Sequence, residues 1–254
     1  MSNLTGIDRL ESDILDESVP LASLLRQVLI MGGRASSESL RAWAQQELKG
    51  YREPDATLPE YRTIVAALKA DIMAGPATFT GQEISSRDLP EAAREHATND
   101  VPITWSVAEI QATVQSEPGG HIRLGGTNMS DLARMMTAHQ RELQGSPFVN
   151  VTSVYWSAST SALEGILDQV RTRLTEFVAE IRSSMPEGAA EPTPEQIRQA
   201  VSVINITAGD NSPINVTSPI AIAGSDAAVT IEPVTGKTRR GLAIRTLLKR
   251  GKHE

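Results

Sequence analysis

The chain has 254 residues, 40% of them hydrophobic and 22% charged, with a net charge of −7. That is enough apolar material for one large domain or two modest ones, and the acidic balance argues against nonspecific nucleic-acid binding by the protein as a whole. Cysteine is absent, which excludes disulfides, thiolate metal sites and a cysteine nucleophile. Aromatic residues make up only 4%, so Leu, Ile, Val and Ala must do most of the packing. No run approaches the roughly eighteen apolar residues of a transmembrane helix. Asp8, Glu11, Asp13, Asp16 and Glu17 occupy the first stretch, where a secretory signal needs a basic start and an apolar run. The expected location is the cytoplasm.

The first fifty residues read as three short helices. Thr5 can cap the first, with Asp8 in its first turn and Ile7, Leu10 and Ile14 on one face. Pro20 suits the start of the second, whose stripe is Leu21, Leu24, Leu25, Val28 and Leu29 and which Gly32-Gly33 should stop. Ser36 or Ser37 can cap the third, where Leu40, Trp43, Ala44 and Leu48 recur at helical spacing. Gly50 is then expected as a left-handed C-terminal residue with Tyr51 folding back. Between residues 63 and 85 the alternation Ile64, Ala66, Leu68, Ala70, Ile72 competes with a helical pattern. The breakers Gly75-Pro76 and Gly81 favour short strands. A helix over 89–96, a strand at Ile103-Thr104-Trp105 and a helix over 107–114 follow, with turns at Pro118-Gly119-Gly120 and Gly125-Gly126. A helix from Asn128 or Ser130 precedes a β-branched, aromatic strand over 148–156. The longest helix comes next, with Ser161–Glu164 as a capping box and a stripe running from Leu163 to Ile181.

Two stretches carry a resemblance. One is Trp43, Glu47-Leu48-Lys49-Gly50-Tyr51 and Leu58-Pro59-Glu60-Tyr61-Arg62. The other is YWSASTSALEGILDQVRTRLTEFVAEIR from Tyr155 to Arg182. Together they resemble the AbiTii domain family, which implies a setting in bacterial abortive infection, a form of phage defence, and names no reaction. The resemblance covers most of residues 7–184. The signature positions Trp43, Glu47, Gly50, Tyr51, Pro59, Glu60, Tyr61 and Arg62 admit two readings. Glu47, Glu60 and Arg62 can pair around Tyr51 and Tyr61 and hold the helix against the following strand, or the same residues can form a surface for a partner or ligand.

The composition changes after Ser184. Residues 185–202 read as a Pro/Glu/Ala linker and a short helix opened by Thr193-Pro194-Glu195. Residues 203–234 repeat themselves: Ile204-Asn205-Ile206-Thr207 returns as Ile214-Asn215-Val216-Thr217, and Ser212-Pro213-Ile214 as Ser218-Pro219-Ile220. Each short alternating piece offers two inward residues, drawn from Ile204, Ile206, Ile214, Val216, Ile220, Ile222, Val229 and Ile231. Four such strands bury too little area to stand alone. They serve as an oligomerisation unit, as a small sheet on their own helical domain, or as a disordered linker. Residues 235–254 reverse the charge: Lys237, Arg239, Arg240, Arg245, Lys249, Arg250 and Lys252 face one acid, Glu254. Such a tail is either simply solvated or a contact for nucleic acid, an anionic membrane or an acidic partner.

Catalytic patterns are scarce. No phosphate-binding glycine loop, HExxH pair or Gly-x-Ser-x-Gly elbow is present, and four scattered histidines suggest no metal site. No cofactor is expected. Arg134 and His139 share the R-x4-H spacing of HEPN-type ribonucleases, in which His would act as general acid or base and Arg would stabilise the phosphate. Met135 departs from that pattern, and a solvent-facing pair is the alternative. The expected fold is α+β: a helix-dominated main domain with short strands over 1–184, then the small C-terminal β-repeat unit. The expected function is a cytosolic, homo-oligomeric component of an abortive-infection-like defence, working with other defence proteins by association. The alternatives are a toxin enzyme and a membrane-perturbing effector.

Overall fold

Three amphipathic helices open the chain, each placed where its apolar spacing predicts. The computed structural model describes residues 5–53, 56–94, 98–126 and 128–203. These belong to the first of the two units into which the chain divides, Met1–Val216. Helix α1 (Gly6–Leu15) begins with a reciprocal capping box between Thr5 and Asp8 and buries Ile7, Leu10 and Ile14. Helix α2 (Leu21–Arg34) starts after Pro20 and runs through Gly32-Gly33, which were expected to end it. Gly32 is buried, and a Cβ there would lie 3.0 Å from Arg41 Cγ; its bareness lets the next helix approach. Helix α3 (Glu38–Lys49) has Ser37 as N-cap, without a side-chain capping bond.

The ambiguous stretch after α3 forms strands. A single 3-10 turn (Glu60–Arg62) leads into β1 (Thr63–Val65), β2 (Ala67–Ala74) and β3 (Ala77–Glu83). The period-2 pattern decides the outcome: Ile64, Ala66, Leu68 and Ala70 are all buried. Gly75, at φ +59, turns the β2–β3 hairpin. Helix α4 is brief (Glu91–Arg94), and β4 (Asp100–Pro102) lies just before the expected strand. Ile103 is buried outside the strand, and its N–H donates to the Arg62 carbonyl. Helix α5 (Val107–Ser116) has an unanticipated capping box, Ser106 with Glu109. Between the two expected glycine turns runs β5 (His121–Leu124), too short to announce itself in the sequence.

Helix α6 (Met129–Gln144) starts at Asn128, and β6 (Val149–Ser159) follows. Helix α7 (Thr160–Ser184) spans about 37 Å at 1.5 Å per residue. Its cap is Ser159, whose Oγ accepts from Ala162 N–H, and not the expected Ser161 box. Helix α8 is Pro194–Val203. The segment read as a linker therefore ends in a helix that buries Ile197, Ala200 and Val201.

The architecture is α+β, with antiparallel strands in two small sheets among the described residues. One pairs β1 with β4; the other has the order β3-β2-β6-β5. A helical core joins α1, α2, α3, the later part of α7, and α8. A second core packs β1, β4, β5 and α5 against the start of α7, through Leu163 and Ile166. A third sets Met136 and Ala133 of α6 on Leu68, Ala70, Val151 and Val154 of the sheet. Helix α7 thus runs from one core into another. The 204–254 segment, with its repeat and basic tail, lies outside the described residues.

Candidate functional site

Helix α3 carries a carboxylate on its apolar stripe. Leu40, Trp43, Ala44 and Glu47 are its buried residues, and Glu47 is 0% exposed. A buried charge is stable only when paired and hydrogen-bonded. Arg62, also 0% exposed, supplies the charge: its Nη2 donates to Glu47 Oε2. Two phenols complete the shell. Tyr51 OH donates to Glu47 Oε1 at 2.7 Å, and Tyr61 OH donates to the same oxygen at 2.6 Å. Trp43 Nε1 donates to Tyr61 OH at 3.0 Å.

The cluster fastens distant elements together. Arg62 Nη1 donates to the Trp105 carbonyl at 2.5 Å, and the Arg62 guanidinium lies 5.1 Å from the centre of the Tyr51 ring. The buried Arg173 of α7 stacks 4.9 Å from the centre of the Tyr61 ring. Tyr61 packs against both the helical core and the β1–β4 core. Burial, and then the Glu47 charge, push both phenols well above the usual tyrosine range. They remain donors, as the geometry requires.

Gly50 closes the turn between Glu47 and Tyr51. Its φ of +87 with ψ 160 differs from the expected left-handed helical cap, and a Cβ there would sit 2.6 Å from the Thr104 carbonyl oxygen. Tyr51 N–H donates to that same carbonyl at 2.8 Å. Pro59 is buried. Glu60 is exposed and stands apart from the cluster. Chemically, the arrangement is a closed clamp. Glu47 accepts from three side chains, and the phenol protons are committed to it.

A second polar cluster was not anticipated. Asp71 on β2 accepts from Gly81 N–H at 2.8 Å, Arg123 Nη1 at 2.7 Å, Ser153 Oγ at 2.9 Å and Tyr155 OH at 3.3 Å. Arg123 lies 4.1 Å from the centre of the Tyr155 ring. Partial burial pushes the Asp71 carboxyl up, but its donors together hold it below the usual range. The β2–β6 register shifts between Asp71 and Ile72, so these contacts pin a bulge on the sheet face opposite α6. Polar residues at alternate β2 positions, Lys69 and Asp71, were the available signal.

Arg134 and His139 lie on α6. Arg134 is exposed and pairs with Asp131, one helical turn back. His139 is half-buried, and its proximity to Asp88 contributes to lowering that carboxyl. No hydrogen bond joins Arg134 to His139 among the described residues. No group of three or more His, Cys, Asp or Glu side chains among the described residues could hold a metal ion. No helix among them is long and apolar enough to cross a membrane. The candidate oligomerisation residues from Ile204 to Ile231 and the basic residues from Lys237 to Lys252 lie outside the described residues.

No curated protein and no solved structure matches the chain. The AbiTii family profile matches residues 7–206, from the first turn of α1 past the end of α8. The match takes in the Glu47–Arg62 clamp, the Asp71 cluster and all three cores, and the chain belongs to the AbiTii family.

Proposed function

We propose that the protein is a cytoplasmic component of an abortive-infection defence against phage and that it acts by association, with copies of itself and with other defence proteins. Family membership supplies the setting. The observation that carries the mode of action is the closure of the clamp: Tyr51, Tyr61 and Arg62 all donate to the Glu47 carboxylate, Trp43 donates to Tyr61, and Glu47 and Arg62 are fully buried. These residues hold the fold that the family shares. Activity therefore falls to surfaces, and the strand-like repeat after α8 and the basic tail are the segments with most to offer a partner.

The test is expression in bacteria with and without phage, comparing the full chain with a truncation after Ile206. That end point keeps α8, whose Val201 is buried in the helical core. The full chain is expected to form oligomers and reduce phage yield, and the truncated chain to lose protection while staying folded. A monomeric full chain that still protects would overturn the association reading. Growth arrest without phage that disappears in His139→Ala would favour the toxin-enzyme alternative.

A further inference from the structure

The helical end of the molecule carries a groove that the clamp does not explain. It lies between α1, α2 and the start of α8, and has a volume of about 570 Å³. Ile30, Met31 and Ile197 give it an apolar lining. Ile30 is 59% exposed, on a helix whose other face is buried. Arg9 and Arg34 also line it, and both are exposed. Among the described residues Arg9 makes only a 3.8 Å ion pair with Asp13. Gln27 lines the groove too, with its amide donating to Asp13 at 2.7 Å. The acid in the groove, Glu191, is turned onto the α1 N-terminus and accepts from Gly6 N–H at 2.7 Å. The groove thus presents an apolar lining with two arginines on a body that is otherwise acidic. Residues 1–203 hold 17 basic and 27 acidic side chains.

The same molecule presents the complementary chemistry elsewhere. At the C-terminal end of α1, Leu15 is 73% exposed, the most exposed large hydrophobic of the helical cluster. Asp16 and Glu17 follow it, both exposed. The turn that presents them is held rigidly. Arg171 donates to the Ile14 carbonyl at 2.7 Å and to the Val19 carbonyl at 2.9 Å, and Asp16 Oδ1 accepts from Ser18 N–H at 2.9 Å. A rigid apolar knob flanked by acids costs little conformational entropy to dock.

We infer that the Leu15–Glu17 turn of one copy docks in the Arg9–Arg34 groove of a second copy, with Leu15 on Ile30 and the carboxylates facing the arginines. This rests on the association reading and assigns it a surface within the body of the protein. Knob and groove are different surfaces, so each bound copy keeps one of each free. The contact is heterologous and builds rings or filaments, where a self-complementary patch would stop at a pair. A stable interface usually takes about 800 Å² from each partner; the knob contributes only part of that. Individual contacts are therefore weak, sensitive to salt and reinforced by repetition.

The test is light scattering on the full chain over a range of concentrations at low and high salt. Four proteins are compared: wild type, Arg34→Glu, Glu17→Arg, and the double charge swap. Wild type is expected to grow in mean mass with concentration, less so in high salt. Each single reversal should abolish that growth, and the swap should restore it because the opposite charges face each other again. Circular dichroism confirms that the variants fold. Oligomers that persist in both single reversals, or a swap that does not recover them, overturn the knob-and-groove contact and leave association to other surfaces. A wild-type chain that stays monomeric at every concentration removes both this contact and the association reading.

Discussion

Removing the charge from Glu47 is the sharpest probe of how this fold is held. Glu47→Gln keeps the shape and one acceptor oxygen for the phenols while leaving Arg62 charged at a fully buried position. Breaking a buried pair by removing one partner typically costs about 3–5 kcal/mol. An ordinary domain has about 5–15 kcal/mol in total, so the variant should lose a large fraction of its stability. With an urea m-value of about 2 kcal/mol/M, the unfolding midpoint should fall by about 1.5–2.5 M. Arg62→Met should also destabilise, because it leaves the Glu47 carboxylate buried without its cation. The double variant Glu47→Gln/Arg62→Met leaves no unpaired charge. Its cost should fall short of the summed single costs by at least about 2 kcal/mol, since contacting residues in one network are not additive. Urea denaturation followed by circular dichroism measures all three. A Glu47→Gln cost below about 1 kcal/mol, or strict additivity, would refute the clamp as the tie between the cores.

Gly50→Ala meets both a positive φ and a carbonyl oxygen 2.6 Å from the new Cβ. It should cost about 2 kcal/mol or more, read as a lowered thermal midpoint, and a neutral result would show that the α3–β1 connection yields easily. Asp8 is held down to about 2 from an ordinary 3.8, first by its bond from Arg182 and then by Thr5. A depressed folded-state value stabilises the fold above the unfolded value, and that contribution disappears as pH falls through the folded one. The difference in thermal midpoint between wild type and Asp8→Asn should therefore be full above about pH 5, shrink progressively below the unfolded value and vanish only below about pH 2; a constant difference would contradict the assignment. All three tyrosines, Tyr51, Tyr61 and Tyr155, are pushed up, in each case chiefly by burial. The two clamp phenols, Tyr51 and Tyr61, should stay protonated through the usual tyrosine range in the folded protein, and their phenolate absorbance should appear together with unfolding. Ionisation of either in the Tyr155→Phe variant near pH 10 with the fold intact would count against the buried phenols.

Much of the fold was legible because its signals are local. Thr5 with Asp8, the stripes of α1 to α3, and the alternation from Ile64 to Ala70 each follow from the spacing of neighbours along the chain. Errors came where spacing is silent. Gly32-Gly33 looked like a stop, but Gly32 has a packing purpose supplied by α3. Strand β5 has four residues and is held in place by β6, so it had little local pattern to show. The strand expected at 103–105 was displaced to 100–102 because β1 pairs there, leaving Ile103 and Thr104 to bond Arg62 and Tyr51 instead.

The candidate site shows the same division. Sequence alone placed Glu47 on the helix that carries the Leu40, Trp43, Ala44 and Leu48 stripe, and offered Glu60 and Arg62 as residues that pair with it around Tyr51 and Tyr61. Helical spacing fixes Glu47 relative to Leu40, Trp43 and Ala44 only; Tyr51 lies past the Gly50 break, and Tyr61 and Arg62 arrive from a separate turn. Tertiary structure decided that the clamp is closed, since only packing could bring the Trp105 carbonyl and Arg173 onto it and exclude water from its charges. It also created the Asp71 cluster from four strands and formed the Arg9–Arg34 groove by bringing α8 back to α1 and α2. These depend on contacts between residues far apart in the chain, and no periodicity along one segment records them.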